Sequence, residues 1–127
     1  MNASPTQRFP KSARLLKRAD FLRVYENGRR HFGPHMTFFY LEPKDQDGKA
    51  AAGRPRIGFT VSRALGGSVD RNRIRRRVRE AVRMNLASLQ RVIDIVINPK
   101  RSVMKADFPA LVAEVAKGFA VIERGGK

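Results

Sequence analysis

The sequence predicts an α+β fold, helices packed on a small sheet, and three patterns carry that prediction. Residues 56–62 alternate strictly: Ile57, Phe59 and Val61 point one way, and Arg56, Gly58, Thr60 and Ser62 the other. That is the period of a half-buried strand. From about Val69 to about Leu89, and again from Phe108 to Phe119, apolar residues recur at helical spacing. With 127 residues one domain is expected, over 13–123, with a flexible basic arm at 1–12 and a short tail at 124–127.

The remaining elements follow in order. Ala19 to Asn27 reads as a helix, because Phe21, Val24 and Tyr25 share a side and Gly28 stands where a C-terminal cap belongs. A short strand near Arg29–Phe32 and an aromatic strand at Met36–Leu41 come next. Residues 42–55, with Pro43, Gly48 and Gly53, predict a surface loop. Gly66-Gly67-Ser68 turns the chain into the long helix, with Ser68 the expected N-cap and Asp70 favourable in the first turn. Val92–Ile97 is a β-branched run and predicts a buried strand; Asp107 is placed to cap the last helix, with Pro109 in its first turn.

The charge narrows the function. Lys and Arg number 27 against 11 Asp and Glu, a net +16, which points to an acidic partner. The excess is concentrated, +6 over residues 1–35 and +7 over 56–86, with zero over 36–55 and +3 over 87–127. Cysteine is absent, which excludes disulfides and thiolate metal sites. No apolar run reaches the roughly 18–20 residues of a membrane span. Neither a membrane nor a small-molecule substrate is expected, and a reducing cytoplasm fits best.

On the long helix, Ile74, Val78, Ala81, Val82, Leu86 and Leu89 share the face that packs on the sheet. Asn72, Arg76, Arg79 and Arg83 form a stripe on the opposite side, flanked by Arg73 and Arg77 on one side and by Arg75 on the other. A merely solvated face mixes signs, since like charges at helical spacing repel. Residues 71–83 instead hold seven Arg, one Glu (Glu80, an i,i+3 or i,i+4 partner) and no Lys. Arginine adds a bidentate fork for phosphate and a plane that stacks on bases. A nucleic-acid face is the result, and the lack of a helix-turn-helix pair or zinc finger argues against reading DNA.

The string Arg56-Ile57-Gly58-Phe59-Thr60-Val61-Ser62-Arg63, followed by Gly66-Gly67-Ser68-Val69-Asp70-Arg71-Asn72-Arg73 and the basic helix, resembles the protein subunit of bacterial ribonuclease P. Asp20-Phe21 with Tyr25 and Gly28 upstream, and Asp94-Ile95-Val96-Ile97 downstream, extend the match over roughly residues 14–120. Tyr25 departs from it, standing where Phe is common. The resemblance implies the order αβββαβα with a left-handed βαβ crossover, a fold shared with the second domain of a small-subunit ribosomal protein. Spacing alone favours the right-handed hand. It also implies a catalytic RNA subunit as partner, with Mg2+ serving the RNA-catalysed reaction and no protein active site. Precursor tRNA is the implied substrate, losing its 5′ leader by endonucleolytic cleavage.

Carried over by position, Arg71, Asn72, Arg73, Arg75 and Arg76 would face the catalytic RNA, and Arg79 and Arg83 continue their stripe. Phe21, Tyr25, Arg56, Gly58, Thr60, Ser62 and Arg63 would line the leader cleft. The residues themselves leave two readings of that cleft open. Small polar Gly58, Thr60 and Ser62 make room for a backbone, and Phe21 and Tyr25 could stack on bases; alternatively both aromatics are simply core. The rival functions are a non-enzymatic structural RNA- or DNA-binding protein and a protein-only nuclease using His31 and His35. The second is disfavoured, because no nearby carboxylate orients either ring. Gly66-Gly67-Ser68 lacks the Gly-Lys-Ser/Thr of a nucleotide loop and reads as a tight turn.

Overall fold

The computed structural model describes residue 14 and residues 17–42 and 55–125; the expected arm at 1–12 and most of the 42–55 loop lie outside the described residues. The elements are α1 (Arg18–Asn27), β1 (Arg29–Phe32), β2 (Met36–Leu41), β3 (Arg56–Phe59), α2 (Ser68–Asn85), β4 (Asp94–Pro99) and α3 (Phe108–Glu123). The αβββαβα order is as expected. The four strands form one mixed sheet in the order β1-β2-β4-β3. β1, β2 and β4 pair antiparallel, and β3 runs parallel to β4. Adjacent parallel strands need a crossover, and α2 supplies it.

Several boundaries differ from expectation. The last strand spans 94–99 rather than 92–97: Ile93 is already buried before the strand begins, so hydrophobicity does not mark where pairing starts. β3 ends at Phe59, although the Thr60 N–H still donates to the Ile97 carbonyl at 3.0 Å. Ser62 leaves the sheet and caps a 3-10 turn at Arg63–Leu65, accepting from the Ala64 N–H. α2 stops at Asn85 and a 3-10 turn follows at Leu86–Ser88. Gly67, not Ser68, is its N-cap, and Asp107 holds the cap position of α3 without a side-chain bond.

Alternation along the strands builds two cores. Met36, Phe38, Tyr40, Ile57, Ile95 and Ile97 face α2 and α3 and meet Ile74, Val78, Ala81, Val82, Leu111, Val115 and Phe119. On the other face, Val24 of α1 covers Val96, with Phe21, Tyr25, Phe39 and Leu41 around them. Gly118 lets α3 approach, since a Cβ there would stand 2.7 Å from the Phe38 ring.

Three buried carboxylates pin these layers together. Asp94, at the head of β4, accepts from Arg56 Nε at 2.9 Å and Nη2 at 2.7 Å, and from Arg23 of α1 at 2.9 Å. Asp20 adds a 3.1 Å bond from Arg23 and lies 3.5 Å from Arg56 Nη1. Glu114 of α3 accepts from the His35 and Met36 N–H groups at 2.9 and 3.0 Å, which holds the β1–β2 turn on the helix. Gly33 is required beside it, as a Cβ would fall 2.2 Å from Glu114 Oε2.

Asp94→Ala leaves Asp20 as the one carboxylate shared by two half-buried guanidinium groups and should destabilise the fold by about 3 kcal/mol in urea unfolding. Glu114→Ala leaves two N–H groups without an acceptor and should cost about 1–3 kcal/mol, with Glu114→Gln recovering part of it.

Candidate nucleic-acid interface

α2 packs through Ile74, Val78, Ala81 and Val82, and this rotation turns its arginines outward. Asn72, Arg73, Arg76 and Arg79 are exposed, and Arg71, Arg75 and Arg83 half-buried. Ser68, Val69, Arg71, Asn72, Arg73, Arg75 and Arg76 line an open concavity of about 570 Å³ along the first turns. Among the described residues, Arg73, Arg75 and Arg76 form no ion pair or side-chain hydrogen bond, so their forks remain available. Arg79 lies over the Phe59 ring at 6.0 Å. Burial first, then repulsion from Arg14 and Arg75, pulls its guanidinium below the usual value. Like charges are thus crowded together with no acid between them among the described residues, which favours a bound polyanion.

Three arginines behave differently from the sequence expectation. Arg83 is engaged by Glu80, through Nε at 3.1 Å and again through Nη2. That pair raises Arg83 and lowers Glu80, each chiefly through the shared hydrogen bond. Arg71 turns back to donate to the Gly66 carbonyl at 3.2 Å, fixing the turn that starts the helix. Arg77 donates to the carbonyls of Val103 and Ala106 and so ties α2 to the segment before α3, a link no local pattern announces.

The second expected surface lies on the α1 side of the sheet. The Tyr25 hydroxyl is 2.9 Å from Asn98 Oδ1 and 2.7 Å from Thr60 Oγ1, so it donates to the amide oxygen and accepts from the threonine. Its ring meets Phe39 edge-on at 4.9 Å. Phe21 and Tyr25 are each half-buried, packed into the small core and still reaching solvent. Gly58 does not leave space for a foreign backbone: Phe21 fills it, its Cζ lying 2.4 Å from where a Cβ would stand. Arg56, expected in the cleft, is instead spent on Asp94 and Asp20. Ser62 and Arg63 are exposed beyond the end of β3, where this face meets the start of α2.

The histidines are tied into the scaffold. His35 Nδ1 lies 2.7 Å from Ser102 Oγ, and His31 packs at a tilt on Phe38. Neither ring is oriented by a carboxylate among the described residues.

Comparison with known proteins fits this arrangement. The family model described as Ribonuclease P matches residues 9–123. The chain is 41% identical to the ribonuclease P protein component of Bartonella quintana, over 82% of this chain and 78% of that protein. It is 36% identical to that of Citrifermentans bemidjiense, over 91% of this chain and 93% of that protein. The fold is similar to the RNase P proteins of Staphylococcus aureus (TM-score 0.72, 22% identity, 89% of this chain and 97% of that one) and Thermotoga maritima (0.69, 23%, 87% and 96%). The basic helix and its strand–turn context therefore sit within a match that runs through the whole described domain, and the chain belongs to the ribonuclease P protein family.

Proposed function

We propose that the chain works in ribonuclease P by position and charge, holding RNA while the RNA subunit carries out the hydrolysis. Asn72, Arg73, Arg75, Arg76 and Arg79 grip the catalytic RNA, with the remaining donors of Arg71 beside them. Phe21, Tyr25, Thr60, Ser62 and Arg63 form the wall along which the 5′ leader of precursor tRNA lies. Arg56 and Gly58 serve that wall indirectly, by fixing α1 and seating Phe21. The observation that carries the proposal is that Arg73, Arg75 and Arg76, in a row on α2, have no acidic partner among the described residues of a chain of net +16.

Basic side chains lower the repulsion between two polyanions, and the cleft orders the leader relative to the RNA's reacting phosphate. Mg2+ serves the RNA-catalysed reaction in this reading. No helix of the described residues is long and apolar enough to cross a membrane, and the cytoplasm, where tRNA precursors are made, is the proposed site of action.

The test is cleavage of precursor tRNA at low magnesium by a matching catalytic RNA, with and without this protein. Strong stimulation is expected; none would leave only generic nucleic-acid binding. Protein rigorously freed of RNA should not cleave, and cleavage abolished by His31→Ala would overturn the proposal.

With roughly six phosphates neutralised, affinity for the catalytic RNA should fall on the order of a thousandfold across a fourfold rise in salt. A nearly flat salt dependence would contradict this. Arg73→Ala or Arg76→Ala should weaken catalytic-RNA binding without lowering the melting temperature. Tyr25→Ala should spare that binding and selectively weaken leader-bearing substrate. Identical profiles would refute the division into two surfaces.

A further inference from the structure

The register of the sheet extends the α1 face beyond the residues assigned above. Directly opposed residues share a face, so Thr37 lies beside Asn98 and across from Phe32, while Phe39 lies beside Val96 and across from Arg30. One row therefore runs from Thr60, just past the end of β3 and joined to Asn98 through the Tyr25 hydroxyl, on to Thr37 and Phe32, and at about 4.8 Å per strand it spans roughly 14 Å. The neighbouring row, Gly58, Val96, Phe39, Arg30, is covered by Phe21 and Val24 at one end and emerges at β1.

At that outer end the chemistry is unusual for a sheet edge. Phe32 is 67% exposed, among the most exposed large apolar side chains described. The Arg30 guanidinium carbon stands 6.0 Å from the Phe32 ring centre and 5.9 Å from that of Phe39. Phe39 in turn meets Tyr25 at 4.9 Å. Tyr25, Phe39, Arg30 and Phe32 thus form a continuous ladder of aromatic rings with a cation inserted, leading from the centre of the face to its rim. An exposed ring gains little in water, and an edge strand with a bare apolar residue invites aggregation unless something uses it. Arg30 is exposed and gives that rim a positive charge, and in a chain of net +16 this complements a nucleic-acid strand better than another copy of the same basic chain.

We propose that Phe32 and Arg30 on β1 form a further binding site for single-stranded RNA, an outer step of the leader path. Phe32 offers a platform for one unpaired base, and Arg30 contributes stacking and phosphate contact. The inference rests on the leader reading of the α1 face and adds its direction: the strand runs across the sheet from β3 to β1. A leader must then exceed a threshold length before it reaches Phe32.

The experiment uses the protein assembled with its catalytic RNA and precursor tRNAs carrying leaders of graded length, with dissociation constants measured for each. Phe32→Ala should leave short-leader substrates unaffected and weaken long-leader ones by about fivefold or more, as expected for one lost stacking contact. Phe32→Tyr, which keeps a ring, should restore long-leader affinity, and Arg30→Gln should show the same length threshold. Tyr25→Ala should act at shorter leaders than Phe32→Ala. If Tyr25→Ala discriminates leaders and Phe32→Ala does not, the outer site is wrong and the leader reading stands. Should neither variant discriminate, the leader reading itself fails. A loss from Phe32→Ala that is the same at every leader length, or a change in self-association by sedimentation with leader affinity untouched, would also overturn the outer site. The melting temperature should be unchanged in Phe32→Ala, since the side chain is exposed.

Discussion

Asp94 is almost fully buried at the head of the central strand, with the guanidinium groups of Arg56 and Arg23 closed on its two oxygens. A charge so placed is tolerable only when its partners are complete, and completing it draws β3, β4 and α1 to one point. The rest depends on this constraint. Once α1 is fixed there, Phe21 drops onto Gly58 and Tyr25 reaches Thr60 and Asn98, which shapes the face proposed to take RNA. Carboxylates are scarce in this chain, and four of them hold the scaffold. Asp94 and Asp20 hold α1, Glu114 holds the β1–β2 turn, and Glu123 accepts from the Gln90 and Arg91 N–H groups.

The consequence appears on α2. Of the acids near it, Glu80 takes Arg83, and Asp70 lies 3.9 Å from Arg101. Among the described residues Arg73, Arg75 and Arg76 receive nothing, and Arg79 sits among other arginines. Self-repulsion of this kind costs stability in the free protein and is relieved when phosphates arrive, so folding and binding are set against each other on one helix. The packed side of the same helix, from Ile74 to Val82, bears that cost through the large core it shares with α3.

How much of this could be read in the sequence depends on the range of each interaction. The buried side of α2 was legible because a helix repeats its environment every 3.6 residues, and Ile74, Val78, Ala81 and Val82 all lie where the pattern placed them. The alternation of 56–62 gave the correct faces, with Ile57 in the large core and Gly58 and Thr60 against α1. Strand ends were less legible. β4 is buried on both faces, so Val92 and Ile93 look like strand residues although pairing begins at Asp94. Roles set by distant partners were illegible: nothing near Arg56 shows that Asp94 waits 38 residues later, and Arg77 resembles its neighbours until the carbonyls of Val103 and Ala106 are seen. Arg30 and Phe32 gave no signal either, because their meaning comes from the cross-strand register with β2.

The central claim is that two separate surfaces of one small domain hold two different RNA segments, and site-directed photo-crosslinking tests it most directly. A photoreactive group placed at position 76 on α2 and another at position 37 on the α1 face would be compared in the assembled complex with precursor tRNA bound. The account predicts crosslinks from 76 to the catalytic RNA and from 37 to the 5′ leader. Crosslinks from both positions to the same RNA segment, or none from position 76, would contradict it.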